Sequence, residues 1–425
     1  MSNLALDETP EVEAANEQEI AAMQELRPVP RISIQAFCES ASVFKPMERA
    51  MADRRLSRAH MRVENGGING AAEFYQSNPT PNLVIVETSA EPGAIMAELA
   101  SLAEVCDPST KVVVIGHYND VTLYRDLIRA GVSEYMVAPV SLADVIAVVS
   151  ALFVTPDAAP IGRTIAVIGA KGGVGASTIA HNISWSISAL FRNEVVIADM
   201  DLPFGTASIN FDRDPPQGIA EAVFSPERID EVYLDRLLEQ CSEQLSLLAA
   251  PSSLDRIYDF DPDAFSQIID LAQRTAPTVV LDIPHVWNGW TRTTLARADE
   301  IIIVASPELA NLRNTKNLID TLRKLRPNDK QPFLVLNQVG VAKRPEIAPA
   351  DFCSPLNLEP AAVIPFDPQF FGNATNNGRM LAETDANHAV VKLINELAHL
   401  VTGRSEVKSK KKPGFQSIMA KLRKK

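Results

Sequence analysis

The sequence predicts an α/β protein made of two successive βα domains, each with a mostly parallel sheet. Three observations carry that expectation. Short β-branched runs alternate with helical segments from Arg31 to about Phe153. A Pro/Ala-rich stretch, Thr155–Gly162 (TPDAAPIG), then interrupts the pattern. Beyond it, Arg163–Leu190 reads as a buried strand, a glycine-rich turn and a helix. Thr164–Ile168 is apolar and β-branched, Gly169, Gly172, Gly173 and Gly175 crowd the turn, and Ile179, Ile183, Ile187 and Leu190 recur on one helix face.

Composition sets the outer limits. A chain of 425 residues that is 46% hydrophobic suits two or three domains with real cores, and 22% charged residues is ordinary for a globular protein. The net charge of −13 disfavours a general nucleic-acid binder. That charge is uneven: residues 1–30 carry seven acidic residues against Arg27, whereas 404–425 carry nine Lys/Arg against Glu406. Cys38, Cys106, Cys241 and Cys353 lie far apart without a C-x-x-C, which favours reduced thiols over a zinc site or disulfide framework. No apolar run approaches the roughly 18 residues that span a bilayer. Met1–Gln18 lacks a secretory pattern, so the expected location is cytoplasmic.

In chain order, residues 1–30 read as an acidic disordered arm with a helical turn near Glu19–Leu26. Residues 31–153 form the first βα domain. Its strand candidates are Ile32–Phe37, Leu83–Val86, Val112–Ile115 and Tyr135–Val137; its helices fall near Ser42–Ser57, Ala94–Cys106, Val121–Ala130 and Leu142–Leu152. Strands alternating with helices imply a parallel sheet with right-handed crossovers. The stretch YRDLIRAGVSEYMVAPVSLADVIAVV resembles the end of a response-regulator receiver domain, a flavodoxin-like fold. A working receiver needs a phosphoacceptor aspartate, an acidic pair for Mg²⁺, a hydroxyl and a lysine. Here the strand ends in Val86-Glu87-Thr88, the first strand is followed by Cys38-Glu39, Gly116 or His117 takes the hydroxyl position, and Ala138 precedes Pro139. The expectation is a degenerate, receiver-like protein-interaction domain. Glu87 reads either as a mimic of a phosphorylated aspartate or as plain loss of the chemistry.

Residues 154–162 are the linker and 163–403 the second domain. A glycine-rich loop between a strand and a helix lets successive N–H groups converge on phosphate oxygens at the helix N-terminus. Laid over G-x-x-x-x-G-K-[ST], the first glycine falls on Ala170, the second on Gly175 and the lysine on Ala176, while Lys171 stands at the front of the loop. Further on, EVVIADMD delivers Asp199 and Asp201 to the end of a strand, and TVVLDIP delivers Asp282. Carboxylates at the carboxyl ends of parallel strands beside a phosphate loop suit Mg²⁺ and water positioning. Glu300–Ser306, Phe333–Asn337 and Val363–Pro368 read as the remaining strands, the last of them running into its loop, with a closing helix at Ala386–Val401.

KGGVGAST resembles the deviant phosphate loop of the MinD/ParA ATPases, and the second domain is expected to share their P-loop NTPase fold. The resemblance implies ATP and Mg²⁺ as cofactors, with Gly172, Gly173, Val174, Gly175, Ala176, Ser177 and Thr178 around the phosphates. It implies Ser177, Asp199 and Asp282 toward the metal and Asp201 toward the attacking water. Lys171 would reach across a dimer interface to the partner's nucleotide. Asn337 matches the position that reads adenine, with an asparagine turn cap as the open rival, and Pro365 lies where backbone touches the base. Because Ala176 replaces the later lysine, binding is expected to survive on backbone donors while hydrolysis is weak or absent. His285 reads as a structural loop residue rather than a base.

DLPFGTASINFDRDPPQGIAEAVFSPERIDE, SLLAAPSSLDR and DIPHVWNGWTRTTLARAD, taken with the receiver-like front and KGGVGAST, resemble the CpaE/TadZ family of Flp (tight adherence) pilus assembly proteins over roughly residues 31–403. That resemblance implies an ATP-dependent homodimer acting as a polar localisation scaffold for pilus secretion machinery at the inner membrane. A cycling MinD-like ATPase and a ParA-like partition factor are the alternatives. Residues 404–425 form a basic tail in which Phe415, Ile418, Met419 and Leu422 fall on one helical stripe, suited to an anionic membrane surface.

Overall fold

The computed structural model describes residues 32–153 and 161–404, together with Met23 and Val29. The rest of the acidic arm, residues 154–160 of the linker and the basic tail from 405 onward lie outside the described residues. The chain divides into two compact units. The first runs to Ile161 and takes in Arg292–Arg297 and Asn317–Gln331; the second comprises the remainder from Gly162.

The first unit holds a five-stranded sheet of order β2-β1-β3-β4-β5. Its strands are β1 Ser33–Cys38, β2 His60–Asn65, β3 Leu83–Glu87, β4 Lys111–Gly116 and β5 Glu134–Val137, all parallel. Side chains alternate across the sheet with the two-residue period of a strand. Ile34, Ala36, Ile85, Val113 and Ile115 enter one core; Phe37, Val84, Val86 and Val114 enter another. Four of these strands sit where the hydropathy pattern puts them. The edge strand β2 does not announce itself, because in HMRVEN only Met61 is buried and no apolar run marks it. Helix Gly67–Tyr75 was likewise unmarked, since it begins on glycines. The single helix expected at Ser42–Ser57 breaks into Ala41–Met51 and a short 3-10 turn, Arg54–Leu56. Asp53 causes the break: its carboxylate accepts from Arg55 N–H and caps a new turn.

The second unit holds an eight-stranded sheet of order β13-β12-β11-β6-β10-β7-β9-β8. Its strands are β6 Arg163–Gly169, β7 Val195–Asp199, β8 Glu239–Ser242, β9 Leu245–Leu248, β10 Thr278–Ile283, β11 Glu300–Ala305, β12 Phe333–Val339 and β13 Pro360–Pro365. Every pairing is parallel except β8 with β9. The mixed sheet follows from that terminal antiparallel pair, which the sequence pattern had not marked as strands. β6, the strand that feeds the glycine loop, lies between β10 and β11 in the middle of the sheet.

Helix Ala176–Phe191 packs Ile179, Ile183 and Ile187 into a core shared with Val167, Val280, Ile302 and Val335. Burying each such side chain stabilises the fold by roughly 1.5–3 kcal/mol. Leu190, expected on the same stripe, is exposed, because the helix stops one residue later and Arg192 turns left-handed at φ 49°. The closing helix, Ala389–Thr402, buries Val390, Ile394 and Leu397 in that core. No helix among the described residues is long and apolar enough to cross a membrane.

Candidate nucleotide-binding site

The carboxyl ends of β6, β7 and β10 build the site. β6 ends at Gly169, residues 170–175 form the loop, and Gly175 caps the helix with φ +86°. A side chain is barred at Gly175 twice over: the backbone is left-handed, and an added Cβ would stand 2.6 Å from Asn337 Nδ2. Lys171, Gly172 and Gly173 are exposed, Val174 is buried, and Ala176, Ser177 and Thr178 are half-buried at the start of the helix. The glycine loop thus runs directly into the helix N-terminus, the arrangement that suits phosphate.

Asp199 and Asp282 are register partners on the adjacent strands β7 and β10, and both are buried. Asp199 accepts from Ala207 N–H at 3.0 Å and Asp201 N–H at 3.2 Å. Burial first, and the charge of Asp282 second, push the Asp199 carboxyl up to about 7. Burial likewise raises Asp201, which is half-buried just past the strand and accepts from Phe204 N–H at 3.2 Å. Two buried carboxylates on adjacent strands repel each other, a condition a divalent cation relieves. Among the described residues no group of three or more His, Cys, Asp or Glu side chains is set to hold a metal. Mg²⁺ does not need one, since it keeps several waters and takes one or two carboxylates plus phosphate oxygens. The two carboxylates thus suit Mg·nucleotide, and Ser177, Asp199 and Asp282 are the side chains that would hold the metal; the nucleotide itself would bring the phosphate ligands.

His181, which the sequence pattern did not single out, is fully buried on the loop helix four residues after Ser177. Its Nε2 stands 3.2 Å from Asp282 Oδ2, out of line for a hydrogen bond, while Asn210 Nδ2 donates to Nδ1 at 2.9 Å. His285 has a structural task, its Nδ1 meeting Gly169 O at 2.8 Å.

Lys171, expected to reach across a dimer interface, meets an acid of its own chain in this structure. Its Nζ is 3.3 Å from Glu308 Oε2, on the loop after β11. Asn337, expected to read adenine or cap a turn, donates its Nδ2 to Val174 O at 2.9 Å. A cleft of roughly 140 Å³ brings Gly175, Thr178, Asn337 and Pro365 together with Phe366 and Phe371. Four of the expected cofactor-binding positions therefore share one cavity beside the loop.

In the first unit the receiver-like constellation is filled by other chemistry. Glu87 is buried and accepts from Glu39 N–H at 2.7 Å, Ser40 N–H at 2.8 Å, Ser40 Oγ at 2.6 Å and His117 Nε2 at 3.1 Å. Burial alone would raise its pKa, but these hydrogen bonds outweigh burial and hold it below the usual 4.5. Glu39 is turned to Ser89, whose N–H and Oγ it accepts at 2.9 and 2.7 Å. Cys38, in place of a metal-binding acid, is buried with its thiol pushed up to about 12 by burial and then by Glu87.

Fold and loop together define a P-loop nucleotide-binding protein of the α/β class. A family model described as an AAA domain matches residues 162–335. The septum site-determining protein MinD of a Synechocystis species is 24% identical over 163 residues, which is 38% of this chain. The chain spans 60% of that relative's length. A ParA family ATPase from Chlorobium tepidum shares the fold at a TM-score of 0.51, with 23% identity over 56% of this chain and 97% of its own. The pilus assembly protein CpaE of Caulobacter crescentus is 49% identical over 30% of this chain and 97% of its own, at a TM-score of 0.29. The chain belongs to the MinD/ParA-like P-loop ATPase superfamily.

Proposed function

We propose that the chain is an ATP-binding positioning protein that pairs with a second copy across its nucleotide face. One observation carries the reading. Phe204, Ile209, Leu254 and Leu309 are 72%, 66%, 62% and 74% exposed, and each follows the carboxyl end of a parallel strand of the same sheet. Trp287, on the loop after β10, is exposed on that edge as well. Large apolar side chains exposed beyond the strand ends of the sheet that carries the phosphate loop are a surface that a partner covers. Lys171 stands in the same loop, exposed and able to leave a solvent-screened ion pair.

Within that class the role proposed is a scaffold for pilus assembly, polar and peripheral at the cytoplasmic face of the inner membrane, with weak or absent hydrolysis. What supports it is the chain's own pattern: a receiver-like front domain stripped of its chemistry, and a loop with Ala176 where a lysine belongs. A cycling ATPase for spatial positioning is the second reading. It is supported by the retained Lys171 and Asp201, and by the kinship with septum-site proteins. The lost lysine hydrogen bond is worth roughly 1.5–3 kcal/mol, about 10- to 150-fold in rate, which leaves room for slow turnover. Partition by DNA binding is disfavoured by the net charge of −13.

Light scattering on the size-fractionated protein, without nucleotide and with ADP or ATP, tests the central reading. An ATP-dependent doubling of mass is expected. A monomer under all three conditions would sink it, and phosphate release in the same samples separates scaffold from cycling ATPase.

A further inference from the structure

Four carbonyl groups, one at the end of β6 and three in the phosphate loop, are each met by a side-chain donor from elsewhere in the second unit. His285 Nδ1 meets Gly169 O at 2.8 Å. Asn314 Nδ2 donates to Ala170 O at 2.9 Å. Gln338 Nε2 donates to Gly173 O, and Asn337 Nδ2 to Val174 O, both at 2.9 Å. In a trans peptide the carbonyl of one residue and the N–H of the next point in opposite directions. Holding Ala170, Gly173 and Val174 by their carbonyls therefore turns the N–H groups of Lys171, Val174 and Gly175 the other way. Among the described residues those three N–H groups have no hydrogen-bond partner. Ala170 N–H is the exception that anchors the loop, donating to Val304 O at 2.8 Å in the sheet.

We infer that Asn314, Asn337 and Gln338 are positioning residues that hold the phosphate loop in its binding geometry before nucleotide arrives. The inference rests on the ATP-binding reading above and adds to it the means by which a loop without the later lysine keeps its affinity. A loop already ordered loses less conformational entropy on binding, so preorganisation offsets the missing contact.

Gln338 carries the clearest mark of this task. It is not glycine, yet its φ is +56°, and it sits at an irregularity in the β12–β13 register between Leu336 and Val339. A strained backbone persists where the surrounding structure holds it, often where function needs the side chain so aimed. Here the left-handed turn accompanies an amide directed onto Gly173 O.

That strain supplies a test which separates positioning from simple structural support. Gln338→Gly removes the donor while placing a residue that accepts φ +56° without steric strain, at the cost of a more flexible unfolded chain. In the full-length protein its thermal midpoint should stay close to that of the wild type, because the strain relieved and the entropy lost are of similar size. The affinity for Mg·ATP and Mg·ADP, measured by calorimetry, should fall about 2- to 13-fold, the value of one net hydrogen bond. Asn314→Ala should lower affinity by a similar factor. In nucleotide-free protein the ¹⁵N order parameters of residues 171–175 should be near about 0.85 and drop below about 0.6 in the variants. Gln338→Lys, which restores a donor of similar reach, should return the order parameters to those of the wild type. Unchanged affinity and unchanged order parameters in both Gln338→Gly and Asn314→Ala would overturn the inference. Should the wild-type protein bind no nucleotide at all, the ATP reading fails. The nucleotide-free order parameters then decide the clamp alone, and a loop already mobile in the wild type overturns it.

Discussion

Lys171 Nζ lies 3.3 Å from Glu308 Oε2, and Arg344 Nη1 lies 3.7 Å from the other oxygen of the same carboxylate. The loop lysine is thus held by its own chain at a mouth exposed to solvent. An exposed pair of this kind contributes about 0–1 kcal/mol, so it yields readily to a stronger site. Lys171→Ala is expected to leave monomer nucleotide affinity within about threefold while weakening the ATP-bound dimer by about tenfold or more. Sedimentation velocity across a concentration series measures the second quantity. Normal dimerisation combined with a large loss of nucleotide affinity would make Lys171 an ordinary ligand within one chain.

Gly175→Val should abolish nucleotide binding. The substitution places a β-branched residue at φ +86°, with its Cβ 2.6 Å from Asn337 Nδ2, so the loop must move or Asn337 must release Val174. Calorimetry with Mg·ATP checks this, and unchanged affinity would mean that the loop is not the site.

Ala176→Lys restores a cation at the first position of the loop helix, where it can reach bound phosphates. Phosphate release is expected to rise by about 10- to 150-fold, the rate equivalent of one charged hydrogen bond. No gain would point to another missing element.

The first unit should resist phosphorylation by acetyl phosphate or a histidine kinase. Glu87 is already occupied by four donors, and Ala138 stands where a lysine is required. An acid-labile aspartyl phosphate within residues 31–153 would contradict this. Glu87 also predicts a pH dependence. Its folded pKa lies below the usual 4.5, so its stabilising contribution is present above about pH 4.5 and is lost as pH falls through the lower folded value. Glu87→Gln should therefore cost about 1.5–3 kcal/mol at neutral pH, with the gap from the wild type closing in acid. Urea titrations at several pH values measure it.

The basic stretch Lys408–Lys425 lies outside the described residues, and its prediction rests on sequence alone. Phe415, Ile418, Met419 and Leu422 form one apolar stripe ringed by lysines, each worth up to about 1 kcal/mol near an anionic leaflet. The full chain should co-sediment with anionic vesicles more than with neutral ones, and more strongly with ATP, when a dimer brings two tails together. Equal binding by a chain ending at Gly403, or binding indifferent to lipid charge and salt, would refute the membrane role.

Local pattern was enough to read both βα domains, the glycine loop and the strand-end carboxylates. Each is written in contiguous residues: KGGVGAST carries its own turn chemistry, and TVVLDIP its own burial and its own acid. What the pattern could not show are relations between distant residues. β2 has one buried side chain and is a strand because Ser33–Cys38 pairs with it, not because its own composition demands it. Asp199 and Asp282 become one electrostatic unit through the register of β7 with β10. His181 gains interest only when folding buries it beside Asp282. Lys171 meets Glu308 across 137 positions, and Gln338 meets Gly173 across 165. Hydrogen bonds and desolvation act over a few ångströms of space, whatever the separation along the chain. Only the tertiary structure could therefore decide which side chains hold the loop and which carboxylates lie side by side.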